Sequence, residues 1–164
     1  MLFRSDDIES EGSLKLTGNI HGTLSDSLMP DANLLLEVDN GYFSYADLPG
    51  DVSDIAIDLD VHYNGTVPDQ SRVDLNRFHF MAADNPFDMA FHISTPVSDM
   101  RVRGKARGTI DFNQVEDIIP MEELALSGIM QMDIDLDTRM SVIEQEAYEA
   151  INASGNISVE DMEI

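Results

Sequence analysis

The chain has 164 residues, which suits one domain or one segment of a longer protein. Its 9 basic and 32 acidic residues give a formal net charge of −23, so we expect no nucleic acid partner and no electrostatic attraction to anionic membranes. Cysteine is absent, which excludes disulfides, cysteine-ligated metals and cysteine nucleophiles.

The two ends of the sequence are typical of a segment taken from a longer chain. The start, MLFRSDDIESEG, lacks the apolar stretch of a signal peptide, and the end, ISVEDMEI, stops within an alternating pattern. We therefore expect residues 1–11 to be a remnant or flexible start and residues 12–164 to be a single β-rich segment. No apolar run approaches the ~18–20 residues of a membrane span.

Alternation of apolar and polar residues dominates the sequence, and a period of two predicts strands with one apolar face. Residues 54–63 (DIAIDLDVHY) show it most clearly. The predicted apolar face, which we expect to bind lipid, comprises Ile55, Ile57, Leu59, Val61, Met89, Phe91, Ile93, Met130, Met132, Ile134 and Leu136. Residues 34–36 (LLL) break the alternation, which predicts either a strand covered on both faces or a bulge.

Turn signals divide these alternating runs. Asn40-Gly41 and Asn64-Gly65 predict two hairpins, because both residues tolerate positive φ. Pro30, Pro68, Pro86 and Pro96 lie between runs, where a missing N–H does no harm. About nine to eleven strands are predicted in this way, which excludes an α/β fold.

Two segments are predicted to be short helices. Residues 113–119 (NQVEDII) have an asparagine cap and are followed by Pro120. Residues 141–152 (SVIEQEAYEAIN) begin with Ser141 and Glu144 at capping-box spacing.

A degenerate repeat places a glycine inside several alternating runs, at Gly18, Gly104, Gly128 and Gly155. Glycine within a strand is typical of a bulge or bend. Recurring bends of one sense would curl the sheet.

Five stretches resemble the AsmA-like family of Gram-negative envelope proteins, in its Bacteroides-type form. Among them, YADLP (residues 45–49) and NPF (residues 85–87) are the most specific. The stretches are residues 16–24, 34–65, 83–112, 126–137 and 153–164.

This resemblance implies a periplasmic, β-rich body behind an inner-membrane anchor, with a role in outer-membrane assembly or lipid homeostasis. It also implies a curled sheet with an apolar trough. The family has no motif of reactive residues, so none is carried over. The expected fold is all-β with two short helices: a curled or twisted, mainly antiparallel sheet with AsmA-like repeats, with closure into a sandwich left open.

The leading functional hypothesis is a non-enzymatic segment whose apolar face holds a phospholipid or another acyl lipid. A closed core is the competing interpretation of that face, and it is favoured for most of its residues in a segment of this size. The second hypothesis is a scaffold whose edge strands pair with envelope proteins. A carbohydrate-binding sandwich is disfavoured because tryptophan is absent and aromatic residues make up 7%.

No constellation of reactive residues predicts an enzyme, a cofactor or a metal. Asp133, Asp135, Asp137 and Glu144 have the spacing of a calcium loop, but Thr138 stands where that loop needs glycine, so an acidic strand face is favoured. The four histidines are scattered and are expected on polar strand faces. The alternating cations of residues 101–107 are expected to pair with acidic neighbours across the strands.

Overall fold

The computed structural model of the protein describes residues 8–25, 29–45, 50–82, 84–114 and 127–163. These residues form one antiparallel sheet of eight strands whose order in space follows the chain. The strands are β1 (Ile8–His21), β2 (Asp31–Tyr45), β3 (Asp51–Tyr63), β4 (Arg72–Ala82), β5 (Asn85–Ser94), β6 (Arg101–Asp111), β7 (Ser127–Arg139) and β8 (Asn152–Glu163). The predicted all-β, antiparallel fold is confirmed.

The sheet is open and has a single layer. β1 and β8 are its two edges, and the described residues supply no second sheet to make a sandwich. Its deeply buried hydrophobic residues are Ala56 and Leu75, at 6% and 8% exposure. The closed core favoured by the sequence is therefore wrong for the described part of the chain, because an alternating pattern requires one apolar face and does not specify what covers it.

Three strand predictions need correction. The described residues form eight strands where nine to eleven were predicted. β1 begins at Ile8, so residues 8–11 belong to the sheet and not to a flexible start, while residues 1–7 lie outside the described ranges. Leu35 lies half-buried in a regular stretch of β2, and the bulge of that strand falls further along, between Val38 and Gly41.

Asn40-Gly41 does not form a hairpin, because both residues lie inside β2. Asn40 has a φ of 51°, and the pairing with β3 shifts between Val38 and Gly41, which defines a β-bulge. A Cβ on the facing Gly12 would stand 2.7 Å from the Gly41 Cα, so the two strands approach closely there. Positive φ serves a bulge as well as a turn, and the dipeptide alone does not distinguish them.

Asn64-Gly65 does lie between β3 and β4, but in a connection longer than a two-residue turn. The Asn64 Oδ1 accepts hydrogen bonds from the backbone N–H groups of Thr66 (3.1 Å) and Val67 (2.7 Å), and a 3₁₀ turn follows at Pro68–Gln70. Pro86 is the second residue of β5 and does not lie between strands.

Only one recurring glycine of the repeat coincides with a bulge. Gly128 has a φ of 109° and lies where the pairing of β7 with β8 shifts. Gly155 has a φ of 140° in a regular ladder, while Gly18 and Gly104 are in regular strand without positive φ. The repeat in the sequence is therefore not a repeat of backbone conformation.

One helical segment is shorter than predicted, and the other lies largely outside the described ranges. Within residues 141–152 the structure has a five-residue helix α1 (Met140–Glu144) and a 3₁₀ turn (Tyr148–Ala150), and Asn152 already begins β8. Ser141 is not the cap, since the N-cap position is Arg139 and makes no side-chain capping bond. The other predicted helix begins in a 3₁₀ turn at Phe112–Gln114, and residues 115–119 lie outside the described ranges.

Asp99, in the β5–β6 connection, holds the first turn of α1. Its Oδ1 accepts a hydrogen bond from the Ser141 N–H (3.0 Å), and its Oδ2 accepts from the Ser141 hydroxyl (3.0 Å) and the Arg139 Nη1 (3.3 Å). These bonds, led by that of the Ser141 N–H, lower the pKa of Asp99. A lowered pKa means that the stabilisation is present above the ordinary carboxyl pKa and is lost as the pH falls through the lowered value.

Asp99→Ala is expected to lower the melting temperature by about 2–4 °C at pH 7, because three donors lose their acceptor. The difference should shrink as the pH is lowered, since the protonated carboxyl of the parent protein no longer accepts as strongly. Thermal unfolding followed by circular dichroism over a pH series measures both effects. Glu144→Ala removes an exposed carboxylate from the same helix and is the control; an equal loss in both variants would contradict the assigned role of Asp99.

Candidate functional site

The pairing register places one set of side chains on a common face, which we call the apolar face. Residues directly opposite in antiparallel strands share a face, so the set can be followed from β1 to β8. It comprises Leu14, Leu16, Gly18, Ile20, Ala32, Leu34, Leu36, Val38, Ile57, Leu59, Val61, Tyr63, Val73, Leu75, Phe78, Phe80, Phe87, Met89, Phe91, Ile93, Val102, Gly104, Ala106, Gly108, Ile110, Met130, Met132, Ile134, Leu136, Thr138, Ala153, Gly155, Ile157 and Val159.

Ten of the eleven predicted lipid-binding residues belong to this set by direct register. Ile57, for example, is linked through Phe78, Met89 and Ala106 to Ile134. All eleven are half-buried. The structure therefore brings the predicted residues together on one surface, and their contact with lipid stays a prediction.

The eleventh residue, Ile55, lies at a bulge. Ser53 pairs with Met81 and Ala56 pairs with His79, so Asp54 and Ile55 both stand opposite Phe80. Asp54 takes the strained conformation, with a φ of 52°. Ile55 thus remains beside the apolar face, at its least regular point.

The apolar face carries no charged residue among the positions that define it. Eight strands at ~4.8 Å spacing, each with four or five positions at ~6.6 Å intervals, give it dimensions of about 34 Å by 30 Å, on the order of 1,000 Å². The largest apolar patch on a typical monomer is about 300–600 Å². A larger apolar surface of this kind indicates a binding surface.

Most aromatic residues of this face were missing from the predicted site, in which Phe91 was the one aromatic side chain. Phe80 and Phe87 stack across β4 and β5 with ring centroids 5.2 Å apart, and Phe78 lies 5.5 Å from Phe80. The alternation of β4 was visible in the sequence, but the pairing that joins it to β5 was not.

A furrow follows part of β6 on the apolar face, because this strand presents Gly104 and Ala106 between the larger side chains of β5 and β7. The resulting cavity has a volume of about 430 Å³. Its apolar walls are Met89, Phe91, Ile93, Val102, Ile134 and Leu136.

The apolar face is most open at the two edges of the sheet. Leu14 and Ile20 on β1 are 70% and 75% exposed, and Ile157 on β8 is 62% exposed. The central strands are half-buried by their neighbours on both sides. A bound ligand would therefore bury the most exposed apolar surface at the edges and make its closest contacts over the central strands.

The opposite face is polar, and its cations are paired as predicted at two positions. Arg101 donates from Nε and Nη2 to the two carboxylate oxygens of Asp137 at 2.8 and 2.6 Å, and Arg107 donates from Nε to Asp133 at 2.7 Å. The hydrogen bonds from Arg101 are the main cause of the lowered pKa of Asp137. This face is accordingly a network of cross-strand ion pairs.

The acidic residues of β7 form a strand face, as favoured over a calcium loop. Asp133, Asp135 and Asp137 alternate along β7 and stand opposite the cations of β6. In the described ranges no group of three or more histidine, aspartate or glutamate residues could hold a metal ion.

The histidines of the central strands also lie on the polar face, where each has a partner. His62 Nδ1 lies 2.7 Å from the Asn33 Oδ1, His79 Nδ1 lies 2.8 Å from the Asp88 Oδ1, and His92 contacts the Asp74 carboxylate. The prediction that they belong to polar strand faces is confirmed.

Comparisons with known proteins return nothing for this chain: no family model, no curated protein and no solved structure matches it. The AsmA-like resemblance thus stays a prediction, and residues 46–49 of its YADLP stretch lie outside the described ranges. In the part of the chain that the structure describes, no helix has the length and hydropathy needed to cross a bilayer.

Proposed function

We propose that this chain is a non-enzymatic, periplasmic segment of an AsmA-like protein, and that it serves outer-membrane assembly or lipid transport by holding acyl chains on its apolar face. The observation that carries the proposal is the width of that face: residues from all eight strands contribute to it, and none of them is charged. The family and the compartment rest on the resemblance alone.

The chemistry of the apolar face suits a hydrocarbon ligand. Burying apolar surface is non-directional and stabilises a complex by about 0.8 kcal/mol per CH₂ group, so it needs no polar group to orient the ligand. Methionine side chains adapt to irregular shapes, and Met89, Met130 and Met132 lie on this face. Such a surface would accept acyl chains of different lengths and headgroups.

The second candidate function is a scaffold, and the two open edges of the sheet favour it. β1 and β8 each present a row of backbone groups that another strand could pair with. Glu9 and Glu11 on β1 and Glu160 on β8 lie at the same end of the sheet. Because β8 of one copy would set like charges against β1 of another, this pairing between copies of the chain is disfavoured.

Lipid extraction tests the leading proposal. The purified chain, incubated with vesicles of phosphatidylethanolamine and phosphatidylglycerol and then separated from them, is expected to carry phospholipid detectable by native mass spectrometry. Gln131→Glu, which adds a charge on the polar face of β7, should carry as much lipid as the parent protein.

Absence of lipid from the folded parent chain would contradict the lipid proposal. A protein partner captured through the edges would then favour the scaffold, provided that the capture survives charged substitutions at Met130 and Ile134 on the apolar face.

A further inference from the structure

Two of the four alternating cations of β6 are left without a partner on the polar face. Arg101 and Arg107 form ion pairs with aspartates of β7. Within the described ranges, Arg103 and Lys105 make no hydrogen bond or ion pair, and both side chains are exposed. Their donor groups are therefore available to a ligand.

These two cations line a cavity on the polar face with a volume of about 480 Å³. Its floor includes Ala90, a small residue of β5 that stands opposite Lys105 in the pairing and leaves room above the sheet. Asn76 of β4 lies on one side of this position, and His92 follows it along β5. The cavity is thus a polar depression in the middle of the sheet, on the side opposite to the apolar face.

Three aspartates also line the cavity, and each of them forms an ion pair with an arginine outside its lining. The pairs are Asp74 with Arg72 (3.1 Å), Asp135 with Arg107 (3.8 Å) and Asp137 with Arg101 (2.6 Å). Arg107 is shared with Asp133. These groups, together with Arg103 and Lys105, comprise five cations and four aspartates, so the cavity has a positive local charge in a chain with a formal net charge of −23.

The two free cations suit a phosphomonoester. Arg103 and Lys105 are two residues apart on one strand, with about 6.6 Å between their Cα atoms, so their long side chains can converge on one group. A guanidinium donates a fork of N–H groups to a phosphoryl group, and an ammonium adds a second full charge. A phosphomonoester carries a charge of about −1.5 to −2 near pH 7 and uses both cations, whereas a carboxylate uses one.

The rest of the cavity suits a polar body attached to the phosphoryl group. Its volume of about 480 Å³ lies within the range of about 300–1,000 Å³ that is typical of small-molecule sites. Asn152 and Ser154 of β8 present amide and hydroxyl groups there, which can bond to hydroxyl groups of a ligand. Phe91 belongs to the apolar face, so charge and hydrogen bonds, and not ring stacking, would hold such a ligand.

We propose that this cavity binds a soluble phosphomonoester with a hydroxylated body, such as a sugar phosphate, with Arg103 and Lys105 on the phosphoryl group. The site lies on the other face of the sheet from the proposed lipid surface, so the inference does not rest on the proposed function. A free solute is favoured over a phosphorylated lipid headgroup. An anionic bilayer would meet many acidic residues of the chain at once, whereas charges more than about 8–10 Å from a small solute are screened.

Isothermal titration calorimetry with glucose 6-phosphate at about pH 7.5 and about 0.15 M salt tests the site. The 164-residue protein should bind it with a dissociation constant below about 1 mM and should not bind glucose. Arg103→Gln and Lys105→Gln should each weaken binding at least tenfold, because each removes a charged donor to the phosphoryl group. Both side chains are exposed and unpaired, so circular dichroism should show an unchanged fold.

Lys15→Gln is the matched control. It removes the same charge from the same face, but on the edge strand β1 and outside the cavity, so the affinity should stay within about twofold of the parent value. Equal affinity in Lys105→Gln and the parent protein, or no binding of glucose 6-phosphate at about 10 mM, would overturn the site. Inorganic phosphate that binds as tightly as glucose 6-phosphate would overturn the assignment of a polar body.

Flotation with phosphatidylcholine vesicles that contain phosphatidic acid separates the two sources of a phosphomonoester. Retention of the protein that Arg103→Gln abolishes, without binding of glucose 6-phosphate, would assign the site to a lipid headgroup and overturn the soluble ligand. Arg103→Gln should still extract as much phospholipid as the parent protein through the apolar face. A parent protein that extracts no lipid but binds glucose 6-phosphate would therefore contradict the proposed function alone.

Discussion

Ile134→Glu is expected to abolish binding of acyl lipid while the sheet stays folded. Ile134 lies between Ala106 and Gly155 on the apolar face and forms part of the furrow wall. A carboxylate there would have to lose its hydration when an acyl chain covers it, and burial of an unpaired charge costs several kcal/mol. We expect the affinity for phospholipid to fall at least 100-fold.

The same substitution should affect folding little. Ile134 is half-buried and nothing in the described part of the chain covers the apolar face, so in the free protein the carboxylate reaches water. Circular dichroism and urea unfolding check this point, and vesicle-derived lipid is measured on the same samples. Gln131→Glu, two strand positions from Asp133 on the polar face, controls for the added charge. Equal lipid in Ile134→Glu and the parent protein would place the ligand elsewhere.

The faces of the strands could be predicted from the sequence because side chains alternate strictly along a strand. In residues 54–63 the alternation alone separates Ile57, Leu59 and Val61 from Asp58 and Asp60, whatever the neighbouring strands are. Once the strands pair in regular register, the apolar residues of every strand lie side by side and form one continuous surface. This is why the predicted binding residues came together without knowledge of the strand order.

The layer structure could not be predicted in the same way. Alternation is equally compatible with the inner face of a sandwich and with an open sheet, since both need one apolar face. The closed core was favoured because a chain of this size usually covers its apolar face. The sequence contains no local signal for the absence of a second layer, and only the order of all eight strands reveals it.

Local sequence signals predicted the wrong structure where the same residues are compatible with two backbone conformations. Asn40-Gly41 has the composition of a hairpin turn, but the strand continues through it because pairing partners exist on both sides in β1 and β3. Likewise, Ser141 and Glu144 have capping-box spacing, yet the helix is only one turn long and Asp99 from another connection accepts a hydrogen bond from the Ser141 N–H. Long-range pairing overrides the local preference in both cases.

An uncovered apolar face also changes what stabilises the fold. With so little deeply buried apolar surface, cross-strand pairs and ladder hydrogen bonds supply much of the stability of the sheet. A single residue that distorts a ladder should therefore lower the free energy of unfolding more here than in a two-layered protein, where a buried core also stabilises the fold.

Gly155→Ala is expected to show this cost. Gly155 pairs with Ile134 at a φ of 140°, which L-residues rarely adopt, and a Cβ there would stand 1.9 Å from the Asp133 carbonyl oxygen. β8 would have to move away from β7 to admit the methyl group. We expect the free energy of unfolding to fall by about 2–4 kcal/mol in urea denaturation, with faster amide exchange in β8.

Gly18→Ala is the matched control. Gly18 begins the same local sequence, Gly-Asn-Ile, lies on the same face of the sheet, and belongs to the other edge strand, β1. Its φ is not in the left-handed region, and a Cβ would lie 3.4 Å from the Asn33 carbonyl oxygen. The change should alter the free energy of unfolding by no more than about 0.5–1 kcal/mol. A small increase in stability is an acceptable result, because alanine lowers the conformational entropy of the unfolded chain. Equal destabilisation by both substitutions would show that the shared sequence motif governs the cost, whereas the expected difference assigns it to the backbone conformation that each edge imposes.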